Sequence, residues 1–261
     1  MSIKEKLLTQ ARNDDEKIII GRAIDLVEQV KKHDSAQDTS FLSPSGQLLM
    51  ETVIKSIGGV RWHLDGGFEA AERKKIQVWP AEWDWFEPKI ELSIIEIKPL
   101  AAEEIDHRDY LGALLGLGLK RDVLGDIVIH GDRTFVIVDN KIAEFILNNL
   151  QKIGSIYVDV QLSDLTSVQA PEPKYEVMTL TLVSLRLDSV IAKAFQLSRG
   201  VAANFIKQGR VQVDHRQQTS PAAAVDEGSL ISCRGRGRCV ILKNCGKTKK
   251  GKVKIEVGFP I

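Results

Sequence analysis

Cysteine is scarce: Cys233, Cys239 and Cys245 are the only three in 261 residues, an odd number with no Cys-x-x-Cys pair. That argues against a disulfide framework and a zinc ribbon. Such residues ordinarily serve as small packing groups in strands, and a metal site completed by His215 is the minor alternative. No run of eighteen apolar residues occurs, and the first residues, MSIKEKLLTQARNDDEK, are charged where a secretion signal needs an apolar core. The expected protein is cytoplasmic, without membrane insertion. The five histidines, His33, His63, His107, His130 and His215, are scattered. No Ser/His/Asp set or metal-ligand cluster emerges from them, so no catalysis, cofactor or metal is expected. His130, after an apolar strand, reads as an ordinary strand-end residue.

What is present in quantity is apolar side chain, 43% of the chain, enough for one large or two to three small domains. Charge is abundant but unevenly placed. Residues 184–261 carry fifteen Lys/Arg against five Asp/Glu, a net of +10, whereas residues 1–183 carry 21 against 30, a net of −9. A basic module on an acidic body points to a polyanionic partner for one end, with nucleic acid favoured over an anionic membrane surface.

Three domains follow from the punctuation, an α+β chain in all. Residues 1–88 form a mixed α/β domain with two helical patterns, EKIIIGRAIDLVEQVKK and SGQLLMETVIKSI, and glycine pairs at Gly58-Gly59 and Gly66-Gly67. It closes on VWPAEWDWFEP, an aromatic cluster of the kind that is usually core or inter-domain packing. Residues 89–168 read strand, helix, strand, strand, helix, strand, the ferredoxin-like βαββαβ order. Residues 169–183 are a linker or connecting strand around Pro171 and Pro173. The basic module, 184–261, comes last.

The βαββαβ order is also that of the RNA-recognition motif, in which aromatics on the central strands stack bases. Here LSIIEIK has no aromatic and TFVIVD offers only Phe135. A stacking platform is not expected. The glycine-rich stretch LGALLGLGLKRDVLGD matches neither the P-loop nor the dinucleotide fingerprint, because its glycines lie on or at the end of a helix. Gly112 and Gly116, four apart, are expected to let that helix approach the sheet closely. Lys120 and Arg121 follow the helix end and are secondary candidates for an RNA backbone.

The strongest local pattern lies in the basic module. In LRLDSVIAKAF the residues Leu187, Val190, Ile191 and Ala194 form an apolar face, and Arg186 and Lys193 share the polar one. In LSRGVAANFIKQGR, Val201, Ala202, Phe205 and Ile206 form one side, while Arg199, Lys207 and Arg210 fall on a free opposite side. Ser198 is placed to cap the second helix, and Gly209 follows its end in a left-handed position. Two short helices feeding the strand RVQVD, edged with Arg and Lys, suit a phosphate backbone better than base edges. LISCR, CVILKN and VKIEVGF then read as a three-stranded meander. Its turns carry Arg234, Arg236 and Arg238, then Lys247, Lys249, Lys250 and Lys252.

The run RLDSVIAKAFQLSRGVAANFIKQGRVQVD, with DEGSLISC after it, resembles the RNA-binding domain named after small-subunit ribosomal protein S-four. Asp214-His215 stands where many members have Asn-Gly. GGFEAAERKK and DYLGALLGLGLKRDVLGDI resemble the YlmH family, including its branch called photosystem II S-four domain protein in oxygenic phototrophs. The resemblance covers nearly all of the chain. It implies an RNA-binding accessory factor of the ribosome, associated with peptidyl-tRNA on obstructed large subunits and the rescue of stalled chains.

The expected RNA contacts are Arg186, Lys193, Ser198, Arg199, Lys207, Arg210, His215, Arg216, Arg234, Arg236 and Arg238. The expected partners are ribosomal RNA or tRNA and the large subunit, met by a monomer. Two other classes compete. One is a protein-interaction scaffold whose acidic domains bind a partner, with the basic module as a targeting device and a link to photosystem II biogenesis. The other is an RNA-modifying enzyme, since Arg186-Leu187-Asp188 resembles the Arg-Leu-Asp motif that carries the catalytic aspartate in pseudouridine synthases. Only 73 residues follow Asp188, all within the RNA-binding module, so pairing with a nearby arginine is the expected role of this aspartate.

Overall fold

Phe41 sits against the face of the central sheet that an RNA-recognition motif would leave open, packed with Ile94, Val128, Phe135 and Ile137. The computed structural model describes residues 3–9, 11, 13–101, 105–164 and 174–260. The chain divides into two units, Met1–Pro171 and Glu172–Ile261, so segments 1–88 and 89–168 share the first.

The first half of that unit runs α1 (Ile3–Leu8), α2 (Asp14–His33), β1 (Gln37–Asp38), α3 (Pro44–Ile57), β2 (Val60–Asp65) and β3 (Lys75–Pro80). Asn13 caps α2, and Ser43 caps α3 with Pro44 in its first turn, where a missing N–H costs nothing. Ile20, Ala23, Ile24, Val27 and Val30 of α2 recur at helical spacing and bury against Met50, Val53 and Ile54 of α3 and the sheet β1-β3-β2.

The second half runs β4 (Leu92–Pro99), α4 (His107–Gly116), β5 (Leu124–His130), β6 (Arg133–Asp139), α5 (Ala143–Asn149), β7 (Lys152–Ile153) and β8 (Ile156–Ser163). The sheet order β5-β6-β4-β8-β7 is antiparallel throughout, the ferredoxin-like arrangement with one short added strand. Ile95, Ile97, Val136 and Val138 meet Tyr110, Leu114 and Ile146 on the helical face. Gly112 and Gly116 do not mediate that packing, contrary to the expectation from their spacing. Both are exposed, and a Cβ at either would meet nothing within 4 Å. The buried stripe of α4 is Tyr110 and Leu114, on the other side.

The two stretches that carry the YlmH resemblance meet each other. Arg73 donates to the carbonyls of Phe41, Arg121 and Leu124 at 3.0–3.1 Å. The Asp126 carboxylate accepts the backbone N–H groups of Glu72 at 2.6 Å and Arg73 at 3.2 Å. A Cβ on Gly66 would lie 2.5 Å from the Arg73 carbonyl, and one on Gly125 would lie 2.8 Å from the Phe41 ring. Lys75 closes the joint with a buried ion pair to Asp139, Nζ to Oδ2 2.8 Å.

The second unit runs β9 (Tyr175–Leu182), α6 (Leu187–Ala194), α7 (Arg199–Lys207), β10 (Val211–Val213), β11 (Arg216–Gln217), β12 (Leu230–Cys233), β13 (Gly237–Lys247) and β14 (Val253–Pro260). Its sheet, β11-β10-β12-β13-β14-β9, contains the expected meander and extends it on both sides. Residues 169–173 of the linker lie outside the described residues. Tyr175–Leu182 pairs along the whole of β14. Leu187, Val190, Ile191, Ala194, Ala202 and Ile206 seat the two helices on Ile231, Cys239, Ile241 and Val257. Val201, assigned to the apolar side of α7, is 41% exposed, because Ala202 and Ile206 form the seam that meets the core.

The aromatic cluster is only partly packing. Trp79 is buried, but Trp85 is 73% exposed. No helix among the described residues is long and apolar enough to cross a membrane.

Candidate RNA-binding surface

Helices α6 and α7 are joined by a turn that closes hydrogen bonds around a left-handed residue. Gln196 has φ +52°, and the Leu197 N–H reaches back to the Ala192 carbonyl at 2.8 Å. Ser198 caps α7 by accepting the Val201 N–H at 3.2 Å. The far end of α7 repeats the device: Gly209 has φ +69°, its N–H bonds Ile206, and the Arg210 N–H bonds Phe205. Asp214 and His215 both have positive φ, 48° and 63°, the primed two-residue turn that Asn-Gly makes elsewhere. The Asp214 carboxylate accepts the Leu230 N–H at 2.8 Å.

The basic residues of this framework fall into three kinds. Arg186 and Arg199 are tied to one carboxylate: Asp188 accepts Arg186 Nε at 3.2 Å and Arg199 Nε at 3.1 Å. Burial pushes the Asp188 carboxyl up, but the hydrogen bonds from Arg186 and Arg199 outweigh it and hold it below the usual carboxylate range. Arg199 is therefore not a free cation, as its helical angle suggested. Arg210 is anchored too, with its guanidinium 4.0 Å from the Phe205 ring centroid and donating to the Arg234 carbonyl at 3.0 Å. That bond fastens the end of α7 to the turn between β12 and β13.

Lys193, Lys207, Arg216, Arg234 and Arg236 are the second kind: exposed, and without an ion-pair partner among the described residues. Arg238 is exposed on β13, and His215 is half-buried in its turn. Arg199 and Lys207 lie eight residues apart on α7, about 12 Å along its axis. Lys120 and Arg121, in the first unit, are the third kind. Lys120 is exposed, but Arg121 turns inward and donates to the carbonyls of Leu124 and Gly125 at 2.7 and 2.9 Å. Burial, and then the neighbouring Arg73, lowers its pKa to about 10. Its guanidinium is engaged in the joint with Arg73.

Asp188, read from the sequence only as a pairing residue, proves to organise two arginines from different helices. Its side chain is 7% exposed, with both carboxylate oxygens engaged by the two guanidinium groups. Cys233 and Cys239 are buried, with Cys239 pushed up to about 12, first by burial and then by Cys233. Among the described residues no group of three His, Cys, Asp or Glu could hold a metal ion.

Residues 87–167 match the model of a putative RNA-binding domain in YlmH, and residues 185–231 match the S4 domain. The latter covers α6, α7, β10, β11 and the first residues of β12. The "Ribosome-associated protein quality control protein P2" of Bacillus subtilis (strain 168) is 33% identical over 242 residues, 92% of this chain and 94% of that protein. The chain belongs to the YlmH family. Among solved structures, the cell division protein ylmH from Streptococcus pneumoniae aligns with a TM-score of 0.54 at 20% identity, covering 61% of this chain and 98% of that chain. At that identity the likeness is one of fold. In this YlmH chain the match to the putative RNA-binding domain spans β4 to β8, the sheet whose second face Phe41 covers.

Proposed function

We propose that this YlmH-family chain is a non-enzymatic, cytoplasmic RNA-binding factor that acts as a monomer on the large ribosomal subunit, holding ribosomal RNA or tRNA during the rescue of stalled chains. The observation that carries the reading is the group of exposed, unneutralised cations on α6, α7, β11 and the β12–β13 turn, beside two arginines held in place by Asp188. Phosphates are recognised by such distributed cations, and prepositioned guanidinium groups bind them with little loss of side-chain freedom. The ribosomal assignment is supported by the name of the Bacillus relative, a ribosome-associated protein quality control protein. A catalytic role for Asp188 is disfavoured by its engagement with Arg186 and Arg199.

The test is sucrose-gradient sedimentation of cell extract at low and moderate salt. A Lys193→Ala/Lys207→Ala/Arg216→Ala variant is suited to it, because these three side chains hold no ion-pair partner among the described residues. Co-migration of the native protein with the large subunit, lost in the variant, is the expected result. If both proteins stay at the top of the gradient, the ribosomal assignment fails and free RNA becomes the substrate to examine.

A further inference from the structure

Beyond β3 the chain makes a tight, acidic and aromatic loop, PAEWDWFEP, in the first unit. Its backbone is held by the Trp83 N–H on the Pro80 carbonyl and the Phe86 N–H on the Trp83 carbonyl, both 3.2 Å. Arg61 on β2 pairs with Asp84 and pins the loop to the sheet. The rings are layered. Trp79 is buried and lies 5.3 Å from Phe86; Phe86 meets Trp83 at 5.6 Å; and Trp83 and Trp85 stack at 5.1 Å with planes 24° apart.

Trp85, the outermost ring, is 73% exposed. A lone exposed aromatic needs no explanation, but a tryptophan braced from behind by a stacked partner is a prebuilt contact whose ordering cost is already met. Its surroundings select the partner. Glu82 and Glu87 are exposed and lack an ion-pair partner among the described residues, whereas the nearby cations Arg61 and Lys89 are engaged with Asp84 and Glu91. An indole face attracts a cation through its quadrupole, and flanking carboxylates add to that attraction while repelling phosphate. The net −9 of residues 1–183 has the same sign.

We propose that Trp85, stacked on Trp83 and flanked by Glu82 and Glu87, is a docking surface for an arginine- or lysine-bearing segment of a protein partner. RNA is the poorer occupant: a base could stack on the ring, but its phosphates would approach two carboxylates. The surface lies outside the basic unit, so it stands or falls separately from the ribosomal assignment.

The full-length chain, titrated with a short Arg/Lys-rich peptide, tests it by tryptophan fluorescence and calorimetry. The same peptide with citrulline and acetyl-lysine replacing the charged residues, and a single-stranded RNA, are titrated alongside. The charged peptide should bind and perturb the fluorescence, and its neutral counterpart should not. Trp85→Ala should weaken binding by about two- to thirtyfold, the span of an exposed to a desolvated cation–π contact, with an unchanged melting temperature. Glu82→Gln/Glu87→Gln, which keeps the rings, should weaken binding and flatten its salt dependence. Failure of the charged peptide to bind, equal binding by the neutral peptide, or indifference to Trp85→Ala would overturn the proposal. So would RNA binding that Trp85→Ala reduces while peptide binding persists.

Discussion

Arg199, on the second helix of the basic unit, is held by Asp188 on the first, with Nε and Oδ2 3.1 Å apart. The same carboxylate holds Arg186. Asp188→Asn separates two accounts of these arginines. It raises the positive charge of the unit by one, so an undirected electrostatic attraction predicts tighter RNA binding. Loss of the clamp frees two long side chains, and ordering each costs about 0.5–1.5 kcal/mol on binding. The expected outcome is a weakening of about five- to 150-fold, measured by filter binding or fluorescence anisotropy at fixed salt. Because the folded pKa lies below its ordinary value, the clamp is intact above about pH 4 and is lost only as pH falls below that.

Gly209→Ala should destabilise the basic unit by about 1–2 kcal/mol, the cost of a left-handed residue bearing a Cβ. The residue has φ +69°, and the added atom would lie 2.0 Å from Gln217 Nε2, whose amide donates to the Gly209 carbonyl. Hydrogen exchange of α7 amides would report the loss without interference from the first unit. No change in exchange would mean that the turn relaxes into another conformation.

The parts of this molecule legible in its sequence are those set by local periodicity. The apolar face of α6, the Ser198 cap and the left-handed Gly209 are all encoded within a few residues of where they act. The side of α4 that carries Gly112 and Gly116 was not, because a spacing of four places two residues on one face without saying which face is buried. Arg121 and Arg199 looked free for a related reason. Their partners, the carbonyls of Leu124 and Gly125 and the carboxylate of Asp188, become neighbours only when turns and helices pack. The covering of the central sheet by Phe41 depends on contacts some fifty to a hundred residues apart, which no local pattern contains. One signal for the joint did exist. GGFEAAERKK concentrates a glycine pair and an arginine, the materials of close backbone approach and multiple carbonyl contacts.

Thiol labelling should distinguish the three cysteines. Cys239 is pushed up to about 12 and Cys233 is also raised, each chiefly by burial, whereas Cys245 is exposed. A thiolate is the reactive species. At pH 8, iodoacetamide should therefore modify one thiol of three in the folded protein and all three in denaturant. Gly209→Ala should speed the labelling of the two slow sites. Fast modification of all three in the native protein would contradict the packing of β12 and β13.

Breaking the Lys75–Asp139 pair should be costly to the first unit. The Lys75 side chain is 6% exposed and that of Asp139 18%. Lys75→Met leaves a largely buried carboxylate without its ammonium partner, at about 3–5 kcal/mol. All four tryptophans lie between Trp62 and Trp85, so fluorescence in a urea titration reports this unit and not the basic one. Burial pushes the Asp139 carboxyl up, but the hydrogen bond from Lys75 and further support from Lys141 bring it below its ordinary value. The contribution is thus complete above about pH 4 and disappears as pH falls below it. In Lys75→Met that loss of stability at low pH should shrink, since only Lys141 then opposes the effect of burial.

The salt dependence of RNA binding can count the cations that matter. Each neutralised phosphate contributes about −0.7 to −0.9 to the log–log slope, so about four contacts give a slope of about −3 to −4. Lys207→Ala removes an exposed ammonium with no ion-pair partner among the described residues and should make the slope shallower by about 0.7–0.9. Arg121→Ala removes a guanidinium committed to the carbonyls of Leu124 and Gly125. It should lower the stability of the first unit and leave the slope unchanged. Asp188→Asn should weaken binding at every salt concentration without making the slope shallower, since it loosens two cations and removes neither. A shallower slope in Arg121→Ala would put that residue on the RNA after all. An unaltered slope in Lys207→Ala would move the phosphate contacts away from α7, toward Arg216, Arg234 and Arg236.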